Sequence, residues 1–180
     1  LLVALDALKK VGLSNAQIMQ PLREIDAPDG RFNVVRKEGI TYVVDFAHTP
    51  DGIFNLLKEG RGMTDKRVIT IFGCGGDRDV TKRPIMGKIA SEMSDIVIVT
   101  SDNPRTESRE GIAGDILQGV NPRGKLYVEL GRAKAIKLGI ELTDEGDIVF
   151  IAGKGSENYI DENNIKIHYS DMQEVRRWLG

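Results

Sequence analysis

Along "LLVALDALKKVGLSNAQIMQPLREI", residues 1–25, apolar positions recur three and four apart, the spacing of one helical face. The pattern predicts a helix over 1–11 that stops at Gly12, then a short helix over 15–19 capped by Ser14 and limited by Pro21. Helical spacing runs from the first residue with no cap before it, so the chain is expected to start inside a helix of a larger protein. "DAPDGRF" is dense in turn formers and puts a boundary near residues 27–30.

Beyond that boundary the pattern changes. "FNVVRKEGITYVVDF" predicts two strands around a turn at 37–39, and "TPDGIFNLLKEG" predicts a helix with Thr49 as N-cap and Pro50 in its first position. The apolar runs "KRVITIFG", "DIVIVTSD", "KLYVEL" and "GDIVFIAGKG" then alternate with the amphipathic stretches "RPIMGKIASEM", "TESREGIAGDILQGV" and "GRAKAIKLGIEL". Strands without polar alternation, separated by helices, fit a parallel sheet covered on both faces. The tail "IKIHYSDMQEVRRWLG" predicts a terminal strand and a last helix capped by Asp171. The expected fold class is α/β, a doubly wound, mostly parallel Rossmann-like sheet with helices on both faces, preceded by a short helical segment.

Ligands of such sheets sit at the carboxyl ends of the strands. Four polar loops fall there, at 45–48, 73–82, 101–105 and 153–157.

Composition narrows the chemistry. With 180 residues, 41% hydrophobic and 29% charged, the chain suits one globular domain plus an appendage. A net charge of -2 lacks the basic excess with which a sequence-independent nucleic-acid binder displaces counterions. Cys74 is the single cysteine, so neither an internal disulfide nor a cysteine-based zinc site can form within the chain, and no metal site is expected. No apolar run approaches the ~18 residues of a membrane span, and the start lacks the marks of a leader, so a cytoplasmic protein without membrane or nucleic-acid partners is expected.

"FGCGGDRDVTKRP" has glycines that let backbone N–H groups approach an anion, with a helix starting at Arg83 or Pro84 aimed the same way. A tight strand-to-helix turn needs the same glycines. The phosphate-loop pattern G-x-x-x-x-G-K-[ST] is absent. Gly73 and Gly75 open a dinucleotide fingerprint, but Arg78 stands where its third glycine belongs; with Asp102 as ribose acid, a nucleotide-binding oxidoreductase module is an alternative.

In "VVDFAHTPDG", Asp45 suits hydrogen bonds from a ribose or sugar hydroxyl or, equally, caps a turn; His48 is a candidate catalytic or structural histidine. In "DNPR", Pro104 has a fixed φ and biases Asn103 toward an extended conformation, so Asp102, Asn103 and Arg105 project from a stiff frame. An arginine clamps a carboxylate, and the Asp and Asn oxygens accept from an ammonium, a set suited to a zwitterion. The bland reading is a turn before a helix with an exposed arginine. For "AGKGSENY" the default is a glycine-rich turn with solvated Lys154 and Glu157, and residues 107–110 read as a solvated helix face.

Taken in order, "GRF", "DFAHTPDG", "FGCGGDRDVTKRPIMG", "VTSDNPR", "GRAKAI" and "IAGKGSENY" resemble the C-terminal domain of the Mur ligases, of the UDP-N-acetylmuramoyl-tripeptide synthetase (MurE) type. The resemblance covers residues 30–180, with 1–29 looking like the helical tail of the family's central ATPase domain. It implies an ATP-dependent, amide-forming ligase in peptidoglycan precursor synthesis. An acyl phosphate forms on a nucleotide-linked muramoyl dipeptide, UDP-N-acetylmuramoyl-L-alanyl-D-glutamate, and an amino acid attacks it. By resemblance, Arg83, Asp102, Asn103, Pro104, Arg105, Gly153 and Glu157 bind that amino acid, and "DNPR" goes with meso-2,6-diaminopimelate rather than the L-lysine of sister enzymes. Arg105 and Arg83 would clamp the distal carboxylate, and Asp102, Asn103 and Glu157 the distal ammonium. Arg31 and Asp45 match positions that touch ATP. ATP and Mg²⁺ are held mainly by the family's central domain, so this chain alone is expected to be inactive. Ser156 stands where the diaminopimelate enzymes commonly carry histidine.

Overall fold

A computed structural model describes residues 2–22, 28–121 and 123–180. The N-terminal pattern forms α1 (Leu2–Lys10) and α2 (Asn15–Leu22). The Ser14 side chain accepts from the Gln17 N–H, and Gln17 Oε1 accepts from the Ser14 N–H at 3.0 Å, a reciprocal cap. Pro21 does not limit α2 as expected; the helix runs one residue past it. Its fixed φ suits a helix, and in the last turn its missing N–H removes one hydrogen bond only. The expected boundary at 27–30 lies partly outside the described residues.

β1 (Asn33–Lys37) and β2 (Ile40–Asp45) pair antiparallel across Glu38 and Gly39, both with positive φ (52° and 76°), the geometry of a tight hairpin. Next come α3 (Pro50–Met63), β3 (Val68–Phe72), α4 (Lys82–Met93), β4 (Ile96–Val99), α5 (Arg109–Leu117), β5 (Lys125–Val128), α6 (Arg132–Glu141) and β6 (Ile148–Ala152). Thr49 Oγ1 caps α3 by accepting from the Gly52 N–H at 3.1 Å. The sheet order is β1-β2-β6-β3-β4-β5, parallel except for β1, so β6 returns to fill the gap between β2 and β3.

Alternate side chains of these strands serve two cores. Val43, Phe72, Val97, Val99 and Phe150 pack with α3, α4 and α5, whereas Tyr42, Val44, Ile69, Ile71, Val149 and Ile151 pack with α6 and α7 (Asp171–Leu179). Burial on both faces explains the unbroken apolar runs of β3, β4 and β6. Among the described residues no helix is long and apolar enough to cross a membrane.

The tail departs from expectation twice. β7 (Tyr159–Glu162), which the pattern did not predict, and β8 (Ile165–His168) form a separate antiparallel hairpin; β8 is no strand of the main sheet. Asn163 and Asn164 both take positive φ, and this local turn pairs β8 with β7. Ser170, not Asp171, caps α7: its Oγ accepts from the Gln173 N–H at 3.4 Å, while Asp171 is the first helical residue and turns inward.

Candidate functional site

The carboxyl ends of β2, β3, β4 and β6 surround a cavity of about 470 Å³. All four polar loops contribute: His48 and Phe46 after β2, Gly75 and Lys82 after β3, Asp102, Asn103 and Arg105 after β4, Gly153 and Glu157 after β6. Parallel strands bring these loops together because each strand ends on the same rim.

Lys154 lies beneath the cavity, fully buried, contrary to the solvated side chain expected. Its Nζ donates to Asn103 Oδ1 and the Tyr159 carbonyl, both at 2.8 Å, and lies 3.3 Å from Glu157 Oε2 and 3.4 Å from Asp102 Oδ1. Asn103 Oδ1 also accepts the Asp161 N–H at 3.0 Å, so its amide nitrogen points the other way and donates to Glu157 Oε2 at 2.9 Å. Asn103 therefore orients Glu157 and leaves no free oxygen facing the cavity. The signal for Lys154 in the sequence was its position between two glycines directly after a fully buried strand.

Arg105 is half-buried and has φ of +52°, unusual for a side chain of this size. The β7–β8 hairpin pins it: the Arg105 N–H donates to the Asp161 carbonyl at 2.9 Å, and its carbonyl accepts from the Asn163 N–H at 2.7 Å. Its Nη1 donates to the Gly76 carbonyl at 2.6 Å. Among the described residues no carboxylate pairs with its guanidinium. The glycine loop itself closes on "DNPR", with the Gly76 N–H donating to the Asn103 carbonyl at 2.9 Å. Pro104, also buried, lies against that loop.

Gly153 has φ of +120°, and a Cβ there would stand 2.6 Å from Asp102 Oδ2. Its N–H donates to the Asp45 carbonyl at 3.0 Å, tying the ends of β6 and β2.

Four expected site residues are not brought into the cavity wall: Pro104, buried against the glycine loop, and Arg83, Asp45 and Arg31. Arg83 is 1% exposed, and its guanidinium is bound by Glu107 through two hydrogen bonds of 2.8 Å, by Asp115 at 2.8 Å and by the Gly75 carbonyl at 3.3 Å. Hydrogen bonding to Glu107 raises the Arg83 pKa, and Glu107, expected on a solvated face, is held below the usual carboxylate range. The Asp45 oxygens accept the N–H groups of Phe32 and Ala47, each at 2.8 Å, the turn-capping alternative. Arg31 is exposed, with its guanidinium 5.8 Å from the Phe46 ring centroid. His48 does line the cavity; its Nδ1 lies 2.7 Å from the Phe46 carbonyl, which can only accept, so Nδ1 carries a proton, and Nε2 makes no hydrogen bond to the described residues.

No group of three or more His, Cys, Asp or Glu side chains among the described residues could hold a metal ion. Arg132 was absent from the expected set, yet its guanidinium holds the carbonyls of Ser101 (3.2 Å) and Ala152 (3.0 Å), directly before Asp102 and Gly153. A cation in the first position of a helix opposes the helix dipole. That was the clue to a buried acid partner.

A cavity at the carboxyl ends of a doubly wound sheet is where α/β domains of this class take small-molecule ligands. The model for the glutamate ligase domain of the Mur ligases matches residues 30–155, and the chain belongs to that family. It is 44% identical over 169 residues to the UDP-N-acetylmuramoyl-L-alanyl-D-glutamate--2,6-diaminopimelate ligase of Aquifex aeolicus, covering 94% of this chain and 35% of that protein. The Fusobacterium nucleatum protein of the same name is 45% identical over 170 residues, covering 93% and 35%. A solved structure of a ligase of that name superposes with a TM-score of 0.81 at 38% identity, over 98% of this chain and 36% of that one. The Escherichia coli FolC complex with ADP, at 21% identity and TM-score 0.62 over 83% of this chain and 34% of that one, shares the fold. The chain thus spans about a third of the length of the curated relatives it matches. The family match does not favour the oxidoreductase alternative.

Proposed function

We propose that this chain is the amino-acid-binding C-terminal part of a cytoplasmic ATP-dependent ligase. It would add meso-2,6-diaminopimelate to UDP-N-acetylmuramoyl-L-alanyl-D-glutamate in peptidoglycan precursor synthesis. In this reading residues 1–29 are the helical tail of a central ATPase domain and 30–180 the Rossmann-like C-terminal domain. The relatives' names supply the substrate class. The observation that carries the reading is the charge layout of one cavity. Arg105 lines it without a carboxylate partner among the described residues, together with Asp102 and Glu157, whose Oδ2 and Oε1 atoms accept no hydrogen bond from the described residues. A distal carbon bearing both a carboxylate and an ammonium complements that layout; the L-lysine head leaves Arg105 unmatched.

Arg105 would clamp the distal carboxylate, and Asp102 and Glu157 would accept from the ammonium. Asn103 orients Glu157, Pro104 stiffens the segment, and Gly153 leaves room for Asp102. Arg83 supports the glycine loop through its hydrogen bond to the Gly75 carbonyl. With the far end fixed, the other amine of the substrate attacks the acyl phosphate: the C–N bond forms, the C–O bond to phosphate breaks, and phosphate leaves with the electron pair. Nε2 of His48 is the base within the cavity suited to the proton released. ATP supplies the phosphoryl group when bound, and exposed Arg31 is the residue here that fits it, whereas Asp45 is engaged by its turn. The described residues offer Mg²⁺ no site. Without the remaining domains the chain is expected to show no turnover.

The test is phosphate release by the full-length ligase with each amino acid. Diaminopimelate should be strongly preferred, and Arg105→Ala should lower its kcat/KM by about 10- to 100-fold, the worth of a charged hydrogen bond, with little change for L-lysine. Equal use of both amino acids by the wild type would overturn the proposal.

A further inference from the structure

We infer that Lys154 determines specificity by acting as a fixed internal counter-charge that makes the head-group site electrically neutral, and so selects a net-neutral zwitterion over a cation. The inference rests on the ligase reading above and adds a residue to it.

The hydrogen-bond accounting comes first. An ammonium has three protons. Two short bonds go to the neutral Asn103 Oδ1 and Tyr159 carbonyl oxygens, both at 2.8 Å. The third is left for two carboxylates at longer range, Glu157 Oε2 at 3.3 Å and Asp102 Oδ1 at 3.4 Å. Lys154 therefore offsets their charge without using up their capacity to accept from a ligand.

The charge count follows. Against the anionic Asp102 and Glu157 stand Arg105, on the cavity wall, and Lys154, beneath it. The head-group site is balanced. Of the other charged residues on the wall, Arg78 and Asp79 are exposed and of opposite sign, and Lys82, whose Nζ donates to the His48 carbonyl at 2.8 Å, keeps its positive charge outside this group of four. Because Lys154 is fully buried, solvent and salt screen its field weakly, so it acts on the ligand although the ligand never touches it. A buried ion is poor evidence of stabilisation in itself, which leaves specificity as a use for it.

Removing this charge gives the site a net negative charge that favours a cationic head such as that of L-lysine. In the full-length ligase, Lys154→Met should lower the ratio of kcat/KM for diaminopimelate to that for L-lysine at least tenfold, with the change carried by KM. Glu157→Gln keeps the size of a half-buried side chain, makes the site net positive and should raise the same ratio. A residue that merely held the loop in shape would move both substrates together. The inference is overturned if folded Lys154→Met keeps the wild-type ratio within twofold. Should Lys154→Met fail to fold, Glu157→Gln decides alone, and equal losses for the two amino acids overturn the inference. A wild-type enzyme that does not use diaminopimelate instead sinks the functional reading and is distinguishable from either result.

Discussion

Arg132 and Asp171 form a fully buried, two-pronged ion pair, Nε to Oδ1 and Nη2 to Oδ2, both 2.7 Å. The pair joins the first residue of α6 to the first of α7, and the guanidinium also holds the carbonyls at the ends of the loops that carry Asp102 and Gly153. Breaking it from one side strands a charge in the core. Arg132→Leu or Asp171→Ala should each destabilise the fold by about 3–5 kcal/mol, and the apolar double replacement by much less than their sum. Urea denaturation of the four proteins checks this.

Gly153→Ala forces a side chain into a backbone conformation that L residues rarely adopt and drives its Cβ into Asp102. The expected cost is about 1–3 kcal/mol of stability. If the proposed function holds, displacement of Asp102 also raises the KM of the full-length ligase for the amino acid, alongside the lower thermal midpoint.

Glu107 gives a pH signature. Its hydrogen bonds from Arg83 lower its folded pKa, assisted by the Asp77 N–H. The stabilisation is thus fully present above the unfolded carboxyl value, ~4.3, and is lost as pH falls through the lower folded value. Glu107→Gln should be less stable than wild type at neutral pH and lose less on acidification below pH about 4. Denaturant midpoints across that range would show parallel curves if the ion pair contributed nothing.

Cys74 lies in the core beside Met86, its Sγ 3.8 Å from the Met86 sulfur, and burial pushes its thiol pKa up to about 12. Thiolate is the reactive form. The native protein should resist a thiol reagent at pH 8 and take up one equivalent on unfolding in guanidinium; rapid native labelling would contradict the buried placement.

Much of the architecture was legible in the sequence because the apolar runs and their helical partners are local patterns. "VITIF" and "IVFIA" announce strands buried on both faces, and Thr49-Pro50 announces a helix start, since capping needs only neighbours in the chain. The tail failed for the converse reason. Ser170 and Asp171 are both good caps by type, and what settled the choice was Arg132, thirty-nine residues away.

The candidate site divides along the same line. By its sequence alone the chain specified a doubly wound sheet, polar loops at its strand ends, and in "DNPR" a stiff segment bearing an acid, an amide and a guanidinium. Tertiary structure alone decided which charges remain available. Arg83 in the first turn of α4 and Arg105 in the loop after β4 are the same side chain, yet Glu107 and Asp115 occupy the first, while among the described residues the second meets only a carbonyl. Lys154 and Glu157 look like one solvated turn in the sequence, yet one is sealed beneath the cavity and the other lines it. Ionic partners and desolvation depend on distances in space that sequence spacing does not encode, whereas hydrophobic period and backbone propensity act between neighbours along the chain.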